Sequence, residues 1–267
     1  MIPEDIRSEI LRRLARAEDE HGVRILFAVE SGSRAWGFAS PNSDFDVRFI
    51  YAREPQWYQA VDLEERRDVI EYKIVDDIDL NGWDVRKALR LFWKSNPAFV
   101  EWIQSPITYL ERSDFRTGAR SALPKIYAPL KGIYHYRSMA KTNYRGYLRE
   151  AEVPLKKYFY VLRPLLAARW VAQTGGAAPI EFDRLLTLLD DEPTVLAAIE
   201  KLLDQKRRSP ALGRAPAVPI LNAFIEAELA GDVPVAPKKS KSPSVVNQLN
   251  QLFHNVLQEY PRLAHLA

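Results

Sequence analysis

The segment FDVRFIYA, residues 45–52, alternates strictly. In an extended chain Phe45, Val47 and Phe49 fall on one side, and Asp44, Asp46 and Arg48 on the other. A run with that period, rich in aromatic and β-branched residues, reads as a strand with one buried face. It commits this part of the chain to a sheet and sets two carboxylates on the same face, about 7 Å apart along the backbone. VRILFAVE (23–30) is an apolar run bounded by turn residues, so it reads as a strand. DVIEYKI (68–74) reads as a third, with a short fourth expected at 76–80. Ahead of them, residues 3–20 carry a helical stripe of Ile6, Ile10, Leu11 and Leu14 that His21-Gly22 stops. Gly82 reads as the break before a helix, WDVRKALRLFWKS, which ends ahead of Asn96-Pro97. AFVEWIQ continues as a short helix closed by Ser105-Pro106.

From about residue 111 strand signals cease. The segments IYHYRSMAKTNYRGYLREA, LKKYFYVLRPLLAARWVAQ, EFDRLLTLL, TVLAAIEKLL and ILNAFIEAELA have helical spacing between Pro and Gly breaks. Pro164 is expected to kink the second of these. A Pro/Lys segment spans 232–243, and a last helix is expected at about 244–258. The architecture predicted is α+β: a sheet-containing part over residues 1–115, then an all-helical part over 116–267.

Charge divides along the same line. Residues 1–122 hold 18 Lys/Arg against 22 Asp/Glu, and residues 123–267 hold 20 against 13. An acidic half before a basic half suits a metal-holding part joined to one that meets polyanions, although two helical surfaces can also differ this much by chance. The chain has no cysteine, which excludes disulfides and thiolate zinc sites, and its four histidines form no HExxH pattern. No apolar run approaches the roughly 18 residues of a bilayer span. The start, MIPEDIRSEILRRL, has no signal-peptide pattern, so a cytoplasmic protein with no membrane partner is expected.

Asp44 and Asp46 follow the turn Gly32-Ser33-Arg34-Ala35-Trp36-Gly37, which ends the preceding strand. Two carboxylates on one face with no evident countercharge repel, unless a cation lies between them. Hard oxygen ligands of this kind suit Mg²⁺, with Mn²⁺ the alternative, in a shell shared with substrate phosphate and water. Gly32 lets backbone approach a phosphate, and Ser33 adds a hydroxyl. A third carboxylate on a neighbouring strand would complete a two-metal arrangement. Asp79, with Ile78 and Leu80 on either side, is preferred for it over Asp76 and Asp77. Taken alone, an Asp-x-Asp also fits a capped strand start.

The order G-S, D-F-D, I-D-L resembles the nucleotidyltransferase superfamily of the DNA polymerase β type. SGSRAWGFASPNSDFDVRFIY and LNGWDVRKALRLFWKSNPAFVEWIQSP are similar, more narrowly, to the YcgL or RlaP-like nucleotidyltransferases, closely over about residues 25–110 and more loosely through KKYFYVLRPLLAARW. Ser31 stands where the wider superfamily has an apolar residue. The resemblance implies a minimal nucleotidyltransferase domain, a short mixed β-sheet backed by helices, with a helical domain closing one side of a cleft. It implies Gly32 and Ser33 as a phosphate-contacting turn, Asp44 and Asp46 as metal-bridging carboxylates, and Asp79 as the third carboxylate. It further implies transfer of a nucleoside monophosphate from an NTP to a hydroxyl, with an RNA end preferred over a small molecule or a protein side chain. A nucleotide-binding, antitoxin-like module that transfers nothing is the reading from a different class.

Arg34 is a candidate phosphate contact, and Trp36 is expected to be structural before it covers a base. Lys87 and Glu101 are expected to serve as surface or buried ion-pair partners. Arg137, Lys141, Arg145 and Arg149 recur every four residues beside Tyr134, Tyr136, Tyr144 and Tyr147, a stripe suited either to an RNA strand or to solvent. Lys141, Lys156 and Lys157 are the candidate triphosphate contacts, and Tyr160 and Arg163 lie where the second part would overhang the cleft. Spacing does not choose among the lysines.

Overall fold

The computed structural model describes residues 2–208, 213–233 and 243–264. Helix α1 (Glu4–His21) leads into β1 (Arg24–Glu30), the four-residue helix α2 (Gly32–Ala35) and β2 (Phe45–Ala52). Strands β3 (Val69–Glu71) and β4 (Ile78–Asp84) follow, then α3 (Val85–Trp93), α4 (Pro97–Gln104) and β5 (Thr108–Glu111). The remainder comprises α5 (Phe115–Ile126), α6 (Pro129–Tyr147), β6 (Glu152–Pro154), α7 (Phe159–Thr174) and α8 (Phe182–Leu186). It closes with α9 (Pro193–Arg208), β7 (Arg214–Pro216), α10 (Pro219–Ala230) and α11 (Pro243–Ala264). Among the described residues no helix is long and apolar enough to cross a membrane.

The first half forms a five-stranded mixed sheet in the order β3-β4-β2-β1-β5, so the protein is α+β. Strands β2 and β4 run parallel, and the other neighbours are antiparallel. The alternation of β2 sets the layers. Phe45, Val47, Phe49 and Tyr51 join Ile10 and Leu14 of α1 in one core, with Ile78 and Leu80 of β4. On the opposite face Ile50 and Ala52 pack with Val85, Phe92, Phe99 and Ile103. That second layer also draws Phe115 and Ala119 from α5 and Leu249 and Val256 from α11, so segments far beyond residue 115 complete the sheet's core. The same face of β2 is polar at its start, where Asp46 and Arg48 stay partly exposed.

Helices α6 to α10 build a separate core around α7, in which Phe159, Leu162, Leu165 and Leu166 are fully buried. Phe38, which follows the Gly32–Gly37 turn, inserts into it, stacked on Phe159 at 4.9 Å and edge-on to Phe182 at 5.3 Å. Each such aromatic pair contributes about 0.5–1.5 kcal/mol beyond the area it buries. Pro164 lies inside α7, as the sequence places it.

Four local expectations change. The third strand shrinks to Val69–Glu71, and the fourth runs through Gly82 instead of stopping before it. Gly82 is the register partner of Phe49, and a Cβ there would lie 2.1 Å from the Phe49 ring, so it is a glycine of close packing rather than a helix break. Strand β5, unassigned from sequence, pairs with β1 at the sheet edge. The part expected to be all helical contains the antiparallel pair β6–β7, three residues each. Of the Pro/Lys segment at 232–243, residues 234–242 lie outside the described residues.

Asp84 ends β4 and caps α3, accepting from the backbone N–H of Arg86 at 2.8 Å and from the Tyr58 hydroxyl at 2.9 Å. Burial pushes its carboxyl up from 3.8 to about 6 against those two hydrogen bonds. The folded state therefore holds this proton more tightly than the unfolded chain. The stabilisation is complete below the ordinary carboxylate range and is lost as pH rises through about 6. Asp84→Asn removes the charge and keeps one of the two acceptor oxygens, so it serves as the reference that does not titrate. Relative to that variant, the wild type is expected to lose about 2 kcal/mol of stability between about pH 4 and about pH 7, measured by urea denaturation across that range.

Candidate active site

The turn after β1 is held against the start of β2 by backbone and side chain together. Ser31 N–H donates to the Asp46 carbonyl at 2.8 Å. Arg34 donates to the carbonyls of Asp44 (3.1 Å) and Ser43 (2.5 Å), and its guanidinium stacks 3.9 Å from the Phe45 ring. The guanidinium offered as a phosphate contact thus clamps the turn that presents Asp44. Gly32 has φ +58°, and a Cβ there would lie 1.9 Å from Asp46 Oδ2. Only glycine lets the turn approach that carboxylate so closely.

Asp46 and Asp79 are register partners across the parallel β2–β4 pair, so their side chains stand next to each other on one face. Asp76 and Asp77 both have positive φ and form the tight turn between Val75 and Ile78, which explains why neither reaches the site. The countercharge that appeared to be missing is Arg48, two residues along the same face. Its Nη2 lies 2.7 Å from Asp79 Oδ2 and 3.2 Å from Asp46 Oδ1. Asn81 donates to the other Asp79 oxygen at 2.7 Å. The alternation had put Arg48 on this face, which was the available signal. Burial pushes the Asp46 carboxyl up, and the charges of Asp79 and Asp44 add to this while Arg48 opposes it.

Behind Asp46 stands Glu30, fully buried. Its carboxylate accepts from the Asp46 N–H at 2.8 Å and from the Tyr109 hydroxyl, while Ser105 Oγ holds its carbonyl at 2.6 Å. Burial raises the Glu30 carboxyl to about 7.

The second half supplies an aromatic and basic border. The Tyr160 ring meets Trp36 edge-on at 5.8 Å, and burial together with the charges of Asp46 and Asp44 pushes its hydroxyl up. Lys157 Nζ sits 4.0 Å from the Tyr147 ring and 4.9 Å from that of Tyr160. Lys206, which spacing did not single out, lies over Phe38 at 5.8 Å and is close enough to Lys156 for the two charges to act on each other. Partial burial and Lys156 lower the Lys206 ammonium. Lys141 is exposed on α6 and makes no ion pair among the described residues. The stripe on α6 is thinner than its spacing suggested. Arg137 donates to the carbonyls of Glu228, Leu229 and Gly231 and so closes the end of α10, while Tyr136 and Tyr144 are buried. Lys141, Arg145 and Arg149 remain exposed, with Tyr134 and Tyr147.

The donor chemistry suits a hard divalent cation at Asp44 and Asp46. Asp44 is exposed, and the oxygen atom of Asp46 that Arg48 does not hold faces Gly32. Two carboxylates, with phosphate and water filling the rest of the shell, is the usual protein share of a Mg²⁺ site. No group of three His, Asp or Glu side chains among the described residues forms a ready-made cage, because Asp79 is engaged by Arg48 and Asn81.

This geometry accompanies a family match. Residues 6–255 fit the model of RlaP, described as an RNA repair pathway DNA polymerase beta family. The chain belongs to the RlaP family. It is 42% identical over 255 residues to the uncharacterised protein YcgL of Bacillus subtilis strain 168, covering 95% of this chain and 97% of that one. A crystal structure of a nucleotidyltransferase-like protein from Exiguobacterium sibiricum 255-15 aligns over 95% of this chain and 80% of its own. At 13% identity and a TM-score of 0.32 that likeness carries no further weight. RlaP membership makes the chain nucleotidyltransferase-like and agrees with the resemblance in its motifs.

Gly32→Ala puts a methyl group where Asp46 stands and a side chain at positive φ. It is expected to cost about 1–3 kcal/mol in chemical denaturation. A variant as stable as the wild type would show that the turn does not approach Asp46 in this way.

Proposed function

We propose that this protein transfers a nucleoside monophosphate from an NTP to a hydroxyl at an RNA end, with Mg²⁺ or Mn²⁺ and release of pyrophosphate. The observation that carries the reading is the register of Asp46 beside Asp79, with the Gly32 turn against Asp46, in a chain of an RNA repair pathway polymerase β family. The reading uses two ions on Asp44, Asp46 and Asp79, and Arg48 must then release Asp79. Bound there, the ions supply charge neutralisation of the triphosphate and a lower pKa for the attacking hydroxyl.

The chain's own groups do the rest. Asp44 and Asp46 hold the cations. Ser33 and the backbone at Gly32 meet phosphate oxygens, while Lys157 and the Lys156–Lys206 pair offset the charge on the phosphates. Lys141, Arg145 and Arg149 bind the RNA backbone. The acceptor oxygen bonds to the α-phosphorus, the bond from that phosphorus to the β-bridging oxygen breaks, and Asp79 takes the acceptor's proton. Pyrophosphate leaves with the electron pair.

Incubation with Mg²⁺, each α-labelled NTP in turn and total RNA is expected to place label in the RNA fraction. Label only in small molecules or on the protein would overturn the RNA acceptor, and no label would overturn transfer. Asp44→Ala and Asp46→Ala should each lower transfer by about a thousandfold or more, with unchanged circular dichroism. Turnover at the wild-type level in either variant would remove these residues from the mechanism.

Binding of RNA should weaken steeply with salt. Lys141→Ala or Arg145→Ala should each reduce the slope of log affinity against log salt by about one. A salt-independent affinity would rule out the α6 surface as a phosphate track.

A further inference from the structure

Glu101 on α4 is 7% exposed and Arg163 on α7 is 3% exposed, and their charged atoms meet at 2.8 Å. The second Glu101 oxygen accepts the indole N–H of Trp36 at 3.3 Å, and Tyr136 of α6 donates to the first at 3.5 Å. Arg163 also donates to the Ile180 carbonyl at 3.1 Å and lies over the Trp36 ring at 4.5 Å. The Trp36 carbonyl accepts from Phe182 N–H at 2.9 Å. One buried carboxylate therefore gathers the glycine turn of the first half and α6 and α7 of the second.

We infer that Glu101 is a positioning residue for nucleotide binding, which through Trp36 and Arg163 sets Tyr160 and Lys157 across from Asp44 and Asp46. The inference rests on the nucleotide-binding part of the proposed function. Stability alone does not account for such a pair, because desolvating two charges cancels most of their attraction, and apolar side chains of equal volume hold as well. The junction already has an apolar join in Phe38, Phe159 and Phe182. What the pair adds is direction. A guanidinium is a rigid planar fork, so fixing it against a carboxylate, a carbonyl and an indole face fixes the rotation of α7. Tyr160 is three residues before Arg163 on that helix, 41% exposed, with its ring against Trp36. Lys157 lies beside Tyr160. Trp36 is in turn four residues from Gly32, whose backbone touches the Asp46 carboxylate. The Tyr160 ring is the open aromatic surface at the acid pair, which the base or ribose of an incoming nucleotide would meet.

The test uses the full chain, Mg²⁺ and an ATP analogue with a methylene in place of the α,β-bridging oxygen, with binding measured by calorimetry. Glu101→Gln is expected to weaken binding about tenfold, to leave Mn²⁺ binding within about twofold and to leave circular dichroism unchanged. Trp36→Phe, which keeps an aromatic ring but removes the N–H that Glu101 accepts together with part of the indole, should shift affinity in the same direction. In a Tyr160→Ala background, Glu101→Gln should cost less than about twofold more, because its route is already cut. An equal loss in both backgrounds, or no loss in either, would overturn the role. If Glu101→Gln does not fold, Trp36→Phe with and without Tyr160→Ala carries the same comparison. Wild-type protein that binds no analogue would sink the functional reading itself, whereas binding that these substitutions leave intact would sink only the role of Glu101.

Discussion

The parallel pairing of β2 with β4 is the constraint on which the acidic site depends. It brings Asp46 beside Asp79 and Arg48 beside Asn81 on one face of the sheet, where all four stay partly exposed. Parallel neighbours need a long crossover, and residues 53–77 provide it, with β3 closing back on β4 as a hairpin. Two close approaches make the pairing possible. Gly82 yields to the Phe49 ring across the register, and Gly32 yields to the Asp46 carboxylate above it. The electrostatic consequence is that burial, with the neighbouring charges of Asp79 and Asp44, raises the proton affinity of Asp46, and Arg48 beside it opposes this.

The order of the chain is not the order of packing. Helix α11, last in the sequence, lies on the sheet with α3 and α5, while Phe38 from the first half sits in the core of the second. The turn bearing Gly32 therefore has two masters. On one side it is bound to β2 through Ser31 and Arg34, and on the other to α7 and residues 180–182 through Trp36. A turn fixed from both sides holds a backbone conformation that an isolated peptide would leave, since positive φ is sustained only where the surroundings determine it.

Much of this was legible in particular residues. The strict alternation of residues 45–52 assigned a face to every side chain of β2, including Arg48, and the apolar neighbours of Asp79 distinguished it from Asp76 and Asp77. Strand β5 leaves no sequence signal because an edge strand of four residues offers too short a period to register. Gly82 reads as a break along the sequence because a glycine required by a cross-strand ring looks, in one dimension, like any other glycine. The basic stripe on α6 had correct spacing, yet Arg137 serves the carbonyls ending α10, a partner over 90 residues away.

The sequence by itself determined the strands and helices with strong periods, the acidic pair on one face, the glycine turn before it and the family to which these belong. These are properties of local spacing, and local spacing is written along the chain. Tertiary structure alone decided which cation answers the acids, that Arg34 clamps the turn, that Lys206 joins Lys156, and that Glu101 meets Arg163. Charges and hydrogen-bond donors find partners by distance in space. A buried ion pair between residues 62 positions apart leaves no periodic trace for a reader of the sequence to find.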